Sequence, residues 1–251
     1  MDRIERSEQR LKELLGGRVV ASGKTDPEFH DILSHFIFGE VSYQGNLDVK
    51  MRQLITLVVL AVNQALPQVA SHTNNSLNVG LTPVEIKEAI YQCAPFIGFP
   101  KTLNAIKEVN QVFESRGIAV PLASQSQVTE ENRLEKGLAI QKQLFGNTFL
   151  KRNENVPQDV KHFQDYLSAM FFGEFFTRTG LKLEVRELLC LCIVSALGDC
   201  EDDVKAHIQA NITAGNDRTT IITAITHCLP YMGFPRAFRA LSCINEIMPE
   251  K

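Results

Sequence analysis

The residues of this chain best suited to chemistry are Glu174, Arg178, Arg186 and His207. An arginine grips a carboxylate through two parallel hydrogen bonds and stays charged when enclosed. A histidine, with an ordinary pKa of about 6.5, can pass a proton at neutral pH. A glutamate can orient that imidazole, or act as the acid itself if burial raises its pKa. Together the four suit a site that holds a small organic anion and protonates it, with Phe175 and Phe176 beside Glu174 to keep water out. Earlier in the chain Glu40, Arg52 and His72 form a weaker version, with Gln44 standing where Arg178 would be. These residues also have structural readings: a helix-bundle histidine satisfied by a glutamate, or an arginine paired with a nearby acid as it opens an apolar helix.

Thiols are the second candidate. The six cysteines are 93, 190, 192, 200, 228 and 243. Cys200 is the possible redox thiol, but Asp199, Glu201, Asp202 and Asp203 surround it with negative charge, which opposes thiolate formation. Cys190 and Cys192, two apart on a helix, point away from each other, and with Cys93 and Cys228 they read as buried side chains. No Cys-x-x-Cys and no H-x-x-x-H on one helix face is present, so no metal site is expected. A net charge of −3 over 251 residues excludes a broad basic surface for nucleic acid or anionic lipid. The longest apolar stretches, Leu54–Val62 and Leu188–Leu197, fall short of a bilayer span. The charged opening MDRIERSEQRLKELL lacks an apolar leader, so a cytoplasmic protein with reduced thiols is expected.

The elements that must position these groups occur twice. Residues 29–57 match 163–191 at 11 of 29 positions, including Phe38-Gly39-Glu40 with Phe172-Gly173-Glu174 and Arg52 with Arg186. After one extra residue, 72–110 match 207–245 at 12 of 39, including His72 with His207 and Gly98-Phe99-Pro100 with Gly233-Phe234-Pro235. The stretch RGIAVPLASQSQVT reads as a linker. The chain therefore divides into a first repeat over 1–117, a linker over 118–130 and a second repeat over 131–251, and Glu130–Gly146 echoes Glu5–Gly16 in outline. Helices are predicted near 27–38, 48–65, 68–79, 82–94 and 100–115, with counterparts near 160–172, 182–197, 201–214, 217–229 and 235–248. Thr82-Pro83-Val84-Glu85 is a capping box. LITLVVLAV, apolar all round, marks a central helix. No alternating strand pattern appears, so the fold class is all-α.

The segment FGEFFTRTGLKLEVRELLCLCIVSALGDCEDDVKAHIQANITAG, closing in PYMGFPRAF, resembles the carboxymuconolactone decarboxylase family, with its G-E-x-x-[TS]-R-x-G-L segment, R-x-L helix opening, downstream H-[VI] and late x-G-F-P. FGEVSYQGNL, MRQLITLVVLAV, SHTNNSLNVG and PFIGFP resemble it more loosely. The resemblance implies a duplicated alkylhydroperoxidase D-like helical bundle, and a homotrimer of two-repeat chains closing a pseudo-hexameric ring. It implies two activities. One is cofactor-free decarboxylation of a carboxymuconolactone-type anion. Glu174 and His207 would then be catalytic, Arg178 and Arg186 substrate-binding, and Glu40, Arg52 and His72 weaker counterparts. The other is thiol peroxidase chemistry, whose Cys-x-x-Cys would fall on Cys200 and Asp203, and on Ala65 and Gln68 in the first repeat, leaving one thiol where two are needed. The relay glutamate of that motif lies 19 residues before the histidine; Gln53 holds that place for His72, and Glu187 stands 20 before His207. A non-catalytic oligomeric small-molecule-binding protein is the third reading.

Overall fold

The computed structural model describes residues 1–17, 25–154 and 156–250, and every regular element among them is helical. The first half runs α1 (Arg3–Leu14), α2 (Pro27–Ser34), a π-helical segment (His35–Glu40), α3 (Val49–Val62), α4 (Leu66–Asn78), α5 (Pro83–Tyr91), the short α6 (Ala94–Ile97) and α7 (Phe99–Ser115). The second half runs α8 (Arg133–Glu154), α9 (Lys161–Tyr166), a π-helical segment (Leu167–Phe176), α10 (Leu183–Leu197), α11 (Glu201–Ala214), α12 (Arg218–Met232), one helix where the first half has α5 and α6, and α13 (Phe234–Ile247). Residues 118–130 connect them without regular structure except a turn at the end.

At the centre, α3 and α10 pack on each other. Leu54 to Val62 are all buried, as are Leu188 to Ala196, because a helix apolar all round has no face for water. The helix starts are chemically marked. Asp48 and Asp217 accept the amides of Met51 and Thr220, and Thr82 with Glu85 completes the capping box. Gly98 and Gly233 adopt φ of 81° and 83°, open only to glycine at low cost, and turn the chain into α7 and α13 ahead of Pro100 and Pro235.

The expected helices at 27–38 and 160–172 run instead into π-helical turns. There α1 lies against the first π segment and α8 against the second. Gly39 and Gly173 make that approach possible: a Cβ on either would collide with the carbonyl oxygen of Arg3 or Arg133. α8 is interrupted at Gly146, whose φ is 56°. No helix among the described residues is long and apolar enough to cross a membrane.

Candidate functional site

Two interior polar sites flank the α3–α10 core. Each takes its arginine and histidine from one half of the chain and its facing wall from α5 or α12 of the other.

In the first of these, α10 supplies Arg186 and Glu187 and α11 supplies His207. His207 Nδ1 lies 2.9 Å from Glu187 Oε2. Glu187 is fully buried and His207 only 6% exposed, and among the described residues the second carboxylate oxygen, Oε1, has no hydrogen-bond partner. With Nδ1–H donated to the carboxylate, Nε2 is the atom left to take or give a proton. The ring of Phe96, reaching over from the first half, lies 5.6 Å from the imidazole and packs edge-on against Phe171 at 5.0 Å. Asn211 fixes the helix pair by donating to the carbonyls of Glu187 and His207 at 2.9 and 2.7 Å.

Arg186, 1% exposed, donates through Nη1 to Gln92 Oε1 at 2.9 Å and through Nη2 to Glu88 Oε2 at 2.8 Å. Glu88, also 1% exposed, takes Arg178 Nε and Nη2 at 2.8–3.0 Å as well. One buried carboxylate thus serves two guanidiniums contributed by the other half. Burial lowers the Arg186 pKa and the Glu88 contact offsets part of that. Gly180 lets this loop close: a Cβ there would press on Val84 and Glu88.

The second site repeats the geometry with its arginine but without the carboxylates. His72 Nδ1 meets Gln53 Oε1 at 3.0 Å, in the place of the glutamate. Arg52 Nη2 donates to the Gln44 carbonyl, as Arg186 Nη2 does to that of Arg178. Facing them are Thr223, His227 and Tyr231, at the places of Glu88, Gln92 and Phe96. His227 Nε2 donates to Thr56 Oγ1 at 3.0 Å and Nδ1 faces Arg52 Nη1 at 3.5 Å. Burial, reinforced by the Arg52 charge, depresses His227 to about 3, and burial alone depresses His72 to about 4. Arg52 itself falls to about 10 by burial, and Tyr231 rises to about 12 for the same reason.

The residues expected from sequence divide clearly. Arg178 and Arg186 meet at Glu88, while His207 pairs with Glu187 and packs against Phe96. Glu174 does not orient the imidazole: it is partly exposed and pairs with Arg133 Nη1 at 3.1 Å, on the side where α8 meets the π segment. Glu40 does the same with Arg3 at 2.7 Å. Both glutamates tie an opening helix down, and the backbone approach at the adjacent glycine places them there. The ring partner of His207 is Glu187, one position further from its histidine than Gln53 because α10 is a residue longer than α3. The structural reading of Arg186 as half of an ion pair holds, although its acid is 98 residues away. Cys93, Cys190, Cys192 and Cys228 are buried. Cys200 caps α11 and its thiol is pushed up by partial burial and by Asp203 and Asp199. Among the described residues no group of three or more His, Cys, Asp or Glu stands close enough to hold a metal ion.

Glu88, Gln92 and His227 were not singled out from sequence. Glu88 and Gln92 carried a signal: polar side chains four apart, on one face of α5 and its C-cap.

The carboxymuconolactone decarboxylase family model matches residues 27–111 and again 161–246, and the chain belongs to that family. It is similar to the 4-carboxymuconolactone decarboxylase of Acinetobacter baylyi, 27% identical over 124 residues, which are 49% of this chain and 92% of that protein. It is also similar to the nitrosuccinic acid decarboxylase of Metarhizium robertsii, 30% identical over 76 residues, 30% of this chain and 53% of that one. A crystal structure of a Burkholderia xenovorans protein considered a gamma-carboxymuconolactone decarboxylase subunit superposes with a TM-score of 0.56 at 19% identity, covering 97% of this chain and 95% of that chain. It is a likeness of fold.

Proposed function

We propose that this chain is a cofactor-free lyase of the decarboxylase type, acting on a small carboxylate or lactone anion at the site built on His207. The observation that carries the reading is the buried Glu187–His207 pair, whose second carboxylate oxygen has no partner among the described residues. In the proposed step the carbon–carbon bond to a substrate carboxylate breaks, CO2 leaves, and its electron pair passes into the conjugated lactone. Protonated His207 then delivers the Nε2 proton to carbon, with Glu187 as the positioning residue that stabilises the imidazolium. Arg178 and the Arg186 region supply positive potential for the anion, and Phe96 and Phe171 lower the local polarity, which strengthens these charge contacts. The two relatives named as decarboxylases support this reaction class. The His72 site, with Gln53 for the glutamate and a histidine held neutral, is the weaker counterpart.

The purified chain should release CO2 from 4-carboxymuconolactone without added cofactor, and Cys200→Ser should leave the rate nearly unchanged. Thiol-dependent peroxide reduction that disappears in the serine variant, with no lyase turnover, would establish the peroxidase alternative. Absence of both activities would favour a binding protein.

We further propose that the chain is two fused copies of one helical unit and that three chains assemble as a ring. Large apolar side chains stand exposed in matched pairs: Phe29 with Phe163, Ile32 with Tyr166, Phe99 with Phe234, and Leu103 with Phe238. Apolar surface repeated at equivalent places on both halves is what a symmetric assembly needs. Sedimentation at micromolar concentration should give three times the chain mass of 28.1 kDa; a monomer overturns this.

A further inference from the structure

A cavity of about 550 Å³ opens between α5, α7 and the connecting segment Val120–Gln125. Lys87, Glu88, Tyr91, Asn110 and Arg178 form its polar wall opposite the connecting segment. Lys87 is only 6% exposed, yet its Nζ donates to a neutral partner, Asn110 Oδ1, at 2.5 Å, and among the described residues no carboxylate pairs with it. Glu88, the one carboxylate on the wall, is already engaged by Arg178 and Arg186. Arg178 uses Nε and Nη2 for that contact and makes no hydrogen bond through Nη1 among the described residues. Lys87 Nζ and Arg178 Cζ lie 5.7 and 5.5 Å from the centroid of the same Tyr91 ring. The wall is therefore rich in cations, and burial already lowers the Lys87 pKa, an electrostatic cost that a bound anion would relieve.

The fold does not require these charges. At the matching places of the other site stand Ile222 for Lys87 and Thr226 for Tyr91 on α12, and Gln44, from the first half, for Arg178. A buried lysine where an isoleucine serves equally well in packing points to a ligand.

We propose that this cavity binds a small dicarboxylate, with one carboxylate on Lys87 and Asn110, the other on Arg178, and its carbon body against Tyr91. Lysine offers a point charge, arginine a planar fork, and the aromatic ring an apolar floor, which together select a short dianion over a neutral molecule. Gln125 anchors the connecting segment over the cavity: its backbone carbonyl accepts the Thr179 amide at 3.0 Å. The proposal rests on the anionic-ligand part of the proposed function and not on its bond-breaking chemistry.

Titration calorimetry of the full chain with succinate tests it, with neutral succinamide as the control. Succinate should bind with a Kd of about 1 mM or tighter, and succinamide should give no heat. Lys87→Met should weaken succinate at least about tenfold. Asn110→Asp, which hands Lys87 an internal carboxylate and keeps the packing, should do the same. His207→Gln, which would abolish turnover, should leave succinate binding within about twofold, so that failure of the lyase reading and failure of this site are separate results. No succinate binding up to about 10 mM, equal binding of succinamide, or undiminished binding in both Lys87→Met and Asn110→Asp overturns the site.

Discussion

Replacing His207 with alanine is expected to lower turnover of a decarboxylated substrate by about two to four orders of magnitude, the usual loss when a positioned proton donor is removed. The alanine leaves Glu187 without its partner in the interior, so His207→Gln is the better companion: an amide can still donate to Glu187 but cannot deliver a proton. Both variants should lose kcat. The glutamine variant should melt close to the unaltered protein. His72→Ala should cost far less, because His72 is depressed to about 4 and is neutral at the pH of the assay. Its partner Gln53 carries no charge to hold an imidazolium. Glu187→Gln, which copies the first-half arrangement, should lower kcat with KM nearly unchanged, as expected of a residue acting through the imidazole. Equal losses from His72→Ala and His207→Ala would refute the division between the two sites.

The largest stability effect is expected at Glu88. Its carboxylate, 1% exposed, is the counter-charge for Arg186, itself 1% exposed, and for Arg178. Removing one member of a buried ion pair leaves the other desolvated and uncompensated, at a cost of about 3–5 kcal/mol. Glu88→Ala should therefore destabilise by that amount in urea denaturation. Arg186→Met on the Glu88→Ala background should recover part of the loss, because it removes the stranded charge. Thr223→Ala, at the matching place of the other site, deletes one neutral hydroxyl bonded to the Thr219 carbonyl and should cost about 1 kcal/mol. A Glu88→Ala loss no larger than that of Thr223→Ala would mean that water reaches the two guanidiniums.

The sequence made the local structure legible and left the cross-chain structure hidden, for a physical reason. Helix periods, the Thr82 capping box and the glycine-proline turns at 98–100 and 233–235 are set by neighbours a few residues apart, and they stand where expected. The burial of Cys93, Cys190, Cys192 and Cys228 followed from their place in apolar runs. His207, Arg178 and Arg186 were visible as chemistry-bearing types. The acid that joins the two arginines sits on α5, 90 and 98 residues away, and no spacing rule reaches that far. Glu174 is grouped with His207 by its family-like spacing and its repetition as Glu40, whereas the π-helical segment turns it toward Arg133. The π turns themselves escaped because a single extra residue per turn hardly alters an apolar pattern as dense as LSAMFFGEFF.

Each interior site is walled by both halves of one chain, and this changes what mutation can do. When identical subunits meet at a symmetric site, every substitution is copied into all of them, and a change that helps one wall must be tolerated by all. Here the positions held by Gln92 and His227, or by Glu88 and Thr223, are spelled separately and vary one at a time. One site can keep Glu88, Glu187 and Arg178 while the other holds Thr223, Gln53 and Gln44 at the same places. Covalent linkage thereby supplies an asymmetry that an assembly of identical parts cannot encode.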